Sequence, residues 1–329
     1  MSKQVRRYLA GRNSGFTLVE MMVSMVLGLV IIGGATGVIL ANRQSYRTNE
    51  GLSQLQESAR TAFELMARDI RQAGVTGCDS NGRIANVLDP AGGEWWKTWL
   101  GMRGFNGDTD DGAVEFGTEA RERVEGTDSL LVQGLDGNGL AVELHRPSDA
   151  ILKLKTAASI AADDVMLVCD FNHAAIFGVR SYNSTDREVN YATGATGAVR
   201  NCSQGLGFPT NCPNNNLYTY EPGSQVARVM AVDWYVGINS RGGRSLFRKR
   251  MELDPEEIVA GVTNMTLTYL QEGANDFAAT VTNWSNVTAV RVELTLDSID
   301  QRISSDMDVN QGRLQRSFAN VITLRNRVP

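Results

Sequence analysis

Few residues of this 329-residue chain have types and spacings that could do chemistry. Its only two histidines are His145 and His173. Neither lies in H-E-x-x-H, and G-x-S-x-G and the P-loop are absent, so both histidines read as structural. The run Asn106-Gly-Asp-Thr-Asp-Asp-Gly112 places oxygen side chains at the first, third and fifth positions of a calcium loop. However, Asp111 stands where the sharp turn wants glycine, and Gly117 stands where the bidentate glutamate belongs. An acidic turn is the better reading. Trp95, Trp96 and Trp99 in "GGEWWKTWL" could form a sugar-binding platform, but aromatics dominate cores and a packed cluster is favoured. No catalytic residue, metal or cofactor is expected, and the chain is not expected to be an enzyme.

Cysteine chemistry is limited to cross-linking. Cys78, Cys169, Cys202 and Cys212 form no C-x-x-C, which argues against zinc and thioredoxin-like sites. An even number in an exported domain suggests two disulfides, for which three pairings exist. Cys202 and Cys212 bracket a short Gly/Pro-rich stretch, so Cys202–Cys212 with Cys78–Cys169 is favoured.

The remaining chemical oddity is a lone carboxylate. From Phe16 to Ala41 the sequence is apolar and Glu20 is its single charge. About twenty apolar residues span a bilayer as a helix. A charge within such a span costs about 2.5–3.5 kcal/mol even on lenient insertion scales, so Glu20 needs compensation. Lys3, Arg6, Arg7 and Arg12 precede the run with no acid among them, which favours a cytoplasmic N-terminus by the positive-inside rule. The small residues Asn13-Ser14-Gly15 lie before the apolar run, whereas a cleaved secretory signal carries its small residues after it.

A basic leader, Gly15, and then Phe16-Thr17-Leu18-Val19-Glu20 closely resemble the type IV prepilin cleavage and methylation signal. "DIRQAG" (69–74), "TDSLLV" (127–132), "VMLVCD" (165–170), "AVRVELTLDS" (289–298) and the terminal "VITLRNRVP" look like a PilW-type minor pilin. The resemblance implies cleavage between Gly15 and Phe16 by a membrane peptidase, which also N-methylates Phe16. It implies that Glu20 pairs with a Phe16 amine, its own or a neighbour's. The implied partners are other minor pilins, the major pilin, the prepilin peptidase/methyltransferase, a partner ATPase and a tip adhesin. The implied role is structural: priming pilus assembly at or near the tip, with twitching motility, adhesion and DNA uptake following indirectly. The J-type minor pseudopilin of type II secretion is a second reading. A membrane-anchored binding protein or hydrolase that does not assemble is a third.

Composition agrees with a folded exported body. The chain is 42% apolar and 21% charged, with a net charge of −5. The basic leader means the remainder is more acidic still, a poor general binder of nucleic acid. "RGGRSLFRKR" (241–250) is the one basic patch, read as a hairpin with solvated edge charges. Beyond Ala41 the residues Leu52, Leu55, Ala59, Ala62, Phe63, Met66, Ile70 and Ala73 recur at helical spacing. This predicts one helix from about Phe16 to Ala73, roughly 87 Å long. Short apolar runs and Gly-rich turns such as "DGNG" (136–139) follow, predicting a β-rich head and an α+β fold. The expected organisation is a leader at 1–15, a membrane or filament-core helix at 16–41, its amphipathic continuation at 42–74 and a periplasmic head at 75–329. A loop-rich insertion is expected near 181–224.

Overall fold

A computed structural model describes residues 15–78, 83–89, 94–194, 199–212, 215–251, 253–304, 310–325 and 327. The basic leader lies outside these described residues. Among the described residues one α-helix, α1 (Leu18–Arg71), is followed by a head of fourteen strands in two sheets, an α+β arrangement. At 1.5 Å per residue α1 is roughly 81 Å long.

The two halves of α1 differ as their sequences do. Up to Leu40 its large apolar side chains are exposed, most by more than half. This segment is long and apolar enough to cross a membrane. From Leu55 to Ala73 the positions with helical spacing are buried, while Arg60, Glu64, Arg68 and Arg71 point to solvent. Leu52 is half-buried beside them. The helix stops at Arg71, slightly before the predicted end, with Gln72 as its C-cap; the N–H of Gly74, at φ +70°, turns to the Gln133 carbonyl.

The larger sheet is organised around two long strands, β3 (Ser129–Arg146) and β9 (Gln225–Ile238), which run antiparallel. One end of the sheet carries β5 (Val165–Cys169), β6 (Ala174–Gly178) and β1 (Ile84–Asn86) outside β9. Outside β3 it carries β4 (Ile151–Leu154), β8 (Glu188–Asn190) and β7 (Ser181–Asn183). The other end carries β2 (Met102–Phe105) on β3, and β10 (Arg244–Arg250) then β11 (Glu256–Ala260) on β9. The smaller sheet is β12 (Val262–Gln271), β13 (Val287–Asp297) and β14 (Gln315–Thr323), antiparallel throughout. The buried half of α1, β14–β12 and the β2–β11 end of the large sheet enclose one core; Met66, Ile70, Trp234, Met265 and Val292 are among its residues.

Two sequence expectations need correction. "DGNG" is not a turn: β3 runs through it with a register shift between Asp136 and Leu140, an irregularity that bends the strand without reversing it. "RGGRSLFRKR" does form a hairpin with β9, but β10 lies between β9 and β11 and is not an edge. Arg241, Arg244 and Arg250 do stay exposed, Arg241 and Arg250 beside Glu257 and Glu256, whereas Arg248 is drawn in to Asp69 of α1 at 3.0 Å. Trp234 Nε1 also donates to Asp69, at 3.0 Å, so one buried carboxylate fastens the helix to β9 and β10. The loop-rich stretch after β6 contains β7 and β8 before it becomes irregular.

Candidate functional site

The N-terminal end of α1 is built by Thr17 and Glu20. Thr17 is the N-cap, with extended backbone. Its hydroxyl accepts from the Glu20 N–H at 3.3 Å, and the Glu20 carboxylate accepts from the Thr17 N–H and hydroxyl, each at 3.0 Å. This is a reciprocal capping box, which satisfies donors that a helix start leaves open. The carboxylate also sits at the positive end of a long helix dipole. Glu20 is therefore partly compensated within its own chain before any partner arrives. The T-x-x-E spacing of a capping box is present in the sequence as Thr17 and Glu20, within the same stretch as the methylation signal. Gly15 and Phe16 lie just outside the cap, and Phe16 is 84% exposed.

The glycines of this segment are not demanded by the fold. A Cβ on Gly15, Gly28, Gly33, Gly34 or Gly37 would meet nothing within 4 Å. No steric contact within this chain requires glycine at these positions.

In the head, the acidic loop is organised around a cation the chain supplies itself. Arg123 is fully buried, and its Nη1 donates to the Asp111 carboxylate at 2.8 Å and the Thr109 carbonyl at 2.9 Å. Its Nη2 donates to the carbonyls of Asn106 and Thr127 at 3.1 and 2.9 Å. The second Asp111 oxygen accepts from the Ala113 and Val114 N–H groups. Loop carbonyls and a carboxylate that could have faced a metal thus face a guanidinium. Position 6 of the loop, the Asp111 that argued against calcium, is the residue that binds it. Arg123 itself was not singled out in the sequence.

The other singled-out residues are in packed surroundings. The structure joins Cys78 to Cys169, with Cα atoms 5.9 Å apart, and Cys202 to Cys212, with Cα atoms 5.4 Å apart. The first bond fixes the chain just beyond α1 to the end of β5. Trp96 is buried against Leu167 and Cys169, with Trp95 and Trp99 packed beside it. His173 is buried against Tyr218 and Tyr220. His145 Nδ1 accepts from the Tyr220 N–H at 3.0 Å, which leaves the proton on Nε2, 2.7 Å from the Tyr191 hydroxyl.

Burial lowers the His145 pKa from 6.5 to about 4. The folded head then binds fewer protons than the unfolded chain between those values. Its stability should fall as pH drops from 6.5 towards 4, by up to about 3 kcal/mol from this group. Urea unfolding at pH 7 and pH 4.5 checks this: His145→Gln should show a smaller loss between the two pH values than the parent. Equal losses would mean that His145 does not carry the effect.

A prokaryotic N-terminal methylation motif matches residues 11–36. It covers Gly15, Phe16 and Glu20 and most of the exposed apolar part of α1, and it marks a type IV pilin-like N-terminus. No curated protein and no solved structure matches the chain. The pilin-like motif, the one membrane-capable helix among the described residues and the β-rich head belong to one continuous chain.

Proposed function

We propose that this protein is a PilW-type minor pilin that helps prime type IV pilus assembly at or near the tip. In this reading residues 1–15 are a cytoplasmic leader, cut between Gly15 and Phe16. Residues 16–41 cross the inner membrane and later enter the filament core. Residues 42–74 carry the helix into a periplasmic head, 75–329. Phe16 becomes the methylated N-terminus, and Glu20 meets a Phe16 amine when subunits dock. The partners are other minor pilins, the major pilin and the prepilin peptidase/methyltransferase.

The carrying observation is the methylation motif set on a helix whose first half finds no cover in its own head. An exposed apolar helix of this length needs lipid or neighbouring helices. The open glycine face at Gly33 and Gly37 suits close helix packing, as small-xxx-small pairs do elsewhere.

Mass spectrometry of the chain extracted from membranes tests the reading. The mature protein should begin at Phe16 and carry one extra methyl group. Gly15→Leu should stay membrane-bound, keep its leader and be absent from surface fibres. The folded chain has room for that side chain, so the block would arise in the peptidase, where a bare backbone permits close approach. A Gly15→Leu protein that is processed and assembled normally would sink the prepilin assignment.

A further inference from the structure

Residues 298–304 follow the end of β13, and this loop meets α1 close to the end of the exposed apolar run. The Ile303 side chain lies over Gly51, where an added Cβ would come within 3.2 Å of it. The Ile303 carbonyl accepts from Gln44 Nε2 at 2.7 Å and from Thr48 Oγ1 at 3.1 Å. The loop is braced from behind. Arg313 Nη1 donates to the carbonyls of Ser298 and Ile299 at 2.7 and 2.6 Å. The N–H groups of Ile303 and Ser304 both reach the Gly312 carbonyl. On its outer side the loop exposes Ile299, at 61%, together with Asp300, Gln301 and Arg302.

The helix fixes how far this loop stands from the membrane. Gln44 and Thr48 lie roughly 4.5 and 10.5 Å beyond Ala41 along the axis. The headgroup region adds about 5–8 Å to each side of the hydrocarbon core. With Ala41 at the edge of the core, the Ile303 carbonyl is level with the headgroups. The same turns of α1 expose Tyr46, at 70%, with Arg43 and Arg47. Aromatic and arginine side chains are the usual anchors at this depth. An exposed isoleucine beside an arginine suits such a surface: the apolar group enters the interface and the guanidinium bonds phosphate.

We propose that loop 298–304 is a foot that rests on the phospholipid surface on the head's side of the membrane. Ile299 enters the headgroup layer and Arg302 bonds lipid phosphate while the subunit waits in the membrane. The foot sets the angle of the head and is released when the subunit is extracted. This rests on the membrane-span reading but not on assembly into a pilus.

Spin labelling of the full chain in nanodiscs of phosphatidylcholine and phosphatidylglycerol tests it. Reporter cysteines replace Gln301 in the foot, the exposed Ser184 in the β7–β8 turn at the sheet end beyond the last turn of α1, and Ile39 in the span, with the native cysteines kept as disulfides. Collision with a water-soluble nickel chelate should be several-fold lower at position 301 than at 184, and position 39 should collide mainly with oxygen. Adding Ile299→Asp or Arg302→Glu should raise nickel collision at 301 towards the value at 184. Equal collision at 301 and 184, with position 39 still in lipid, would overturn the foot alone. A water-exposed position 39 would overturn the membrane span, and the foot with it.

Discussion

Glu20→Ala should insert into the membrane and be processed, yet fail to join the assembled complex. Insertion is unharmed because removing a charge from an apolar run only eases it. Processing is unharmed because the leader, Gly15 and Phe16 are intact. Docking should suffer because the partner's Phe16 amine would be buried without its counter-charge, and breaking a buried pair costs about 3–5 kcal/mol. That corresponds to roughly a hundredfold or greater loss in association. The capping box offers a competing explanation, since Glu20→Ala also removes the bonds to Thr17. Glu20→Gln separates the two, because glutamine keeps the capping box and lacks the charge. Co-purification of partner pilins from membranes, with surface fibres counted alongside, gives the result. If Glu20→Gln fails as Glu20→Ala does, the charge is what docking uses. If glutamine restores assembly, the carboxylate serves only to cap its own helix.

Arg123→Met should unfold the head far more readily than an ordinary surface change. The methionine fills much of the same volume but leaves Asp111 buried with its charge unpaired, which costs about 3–5 kcal/mol. The carbonyls of Asn106, Thr109 and Thr127 also lose their donor. Urea unfolding of the purified chain gives the cost directly. Removing the stranded charge as well, with Asp111→Leu, should recover part of it. Calcium should not raise the stability of the parent protein, because the guanidinium already holds the Asn106 and Thr109 carbonyls and the Asp111 carboxylate. A calcium-dependent rise in midpoint, or an Arg123→Met protein as stable as its parent, would show that the arginine is not the loop's cation.

Much of the architecture could be read from the sequence because it depends on local pattern. The 3.6-residue spacing from Leu55 to Ala73 marked the buried face of α1, and the short apolar runs after it marked a β-rich head. The prepilin-type motif was equally legible, since its leader, glycine, aromatic residue and glutamate lie within one short stretch. The T-x-x-E of the capping box was legible too. The same glutamate serves both patterns, so the methylation signal masks the cap in the sequence.

The tertiary structure decided what depends on distant neighbours. A Gly-rich run such as "DGNG" reads as a turn on its own, yet β9 holds it in one continuous strand by pairing on both sides of the irregularity. Arg248 in β10 looks solvated like its neighbours until Asp69, 179 residues away, takes it. Arg123 looks like any surface arginine until the chain folds four acceptors around it. Neither local spacing nor composition encodes which remote carboxylate a buried cation will meet. That is set only when the elements pack and water is excluded, so that each charge must find a partner or become too costly to bury.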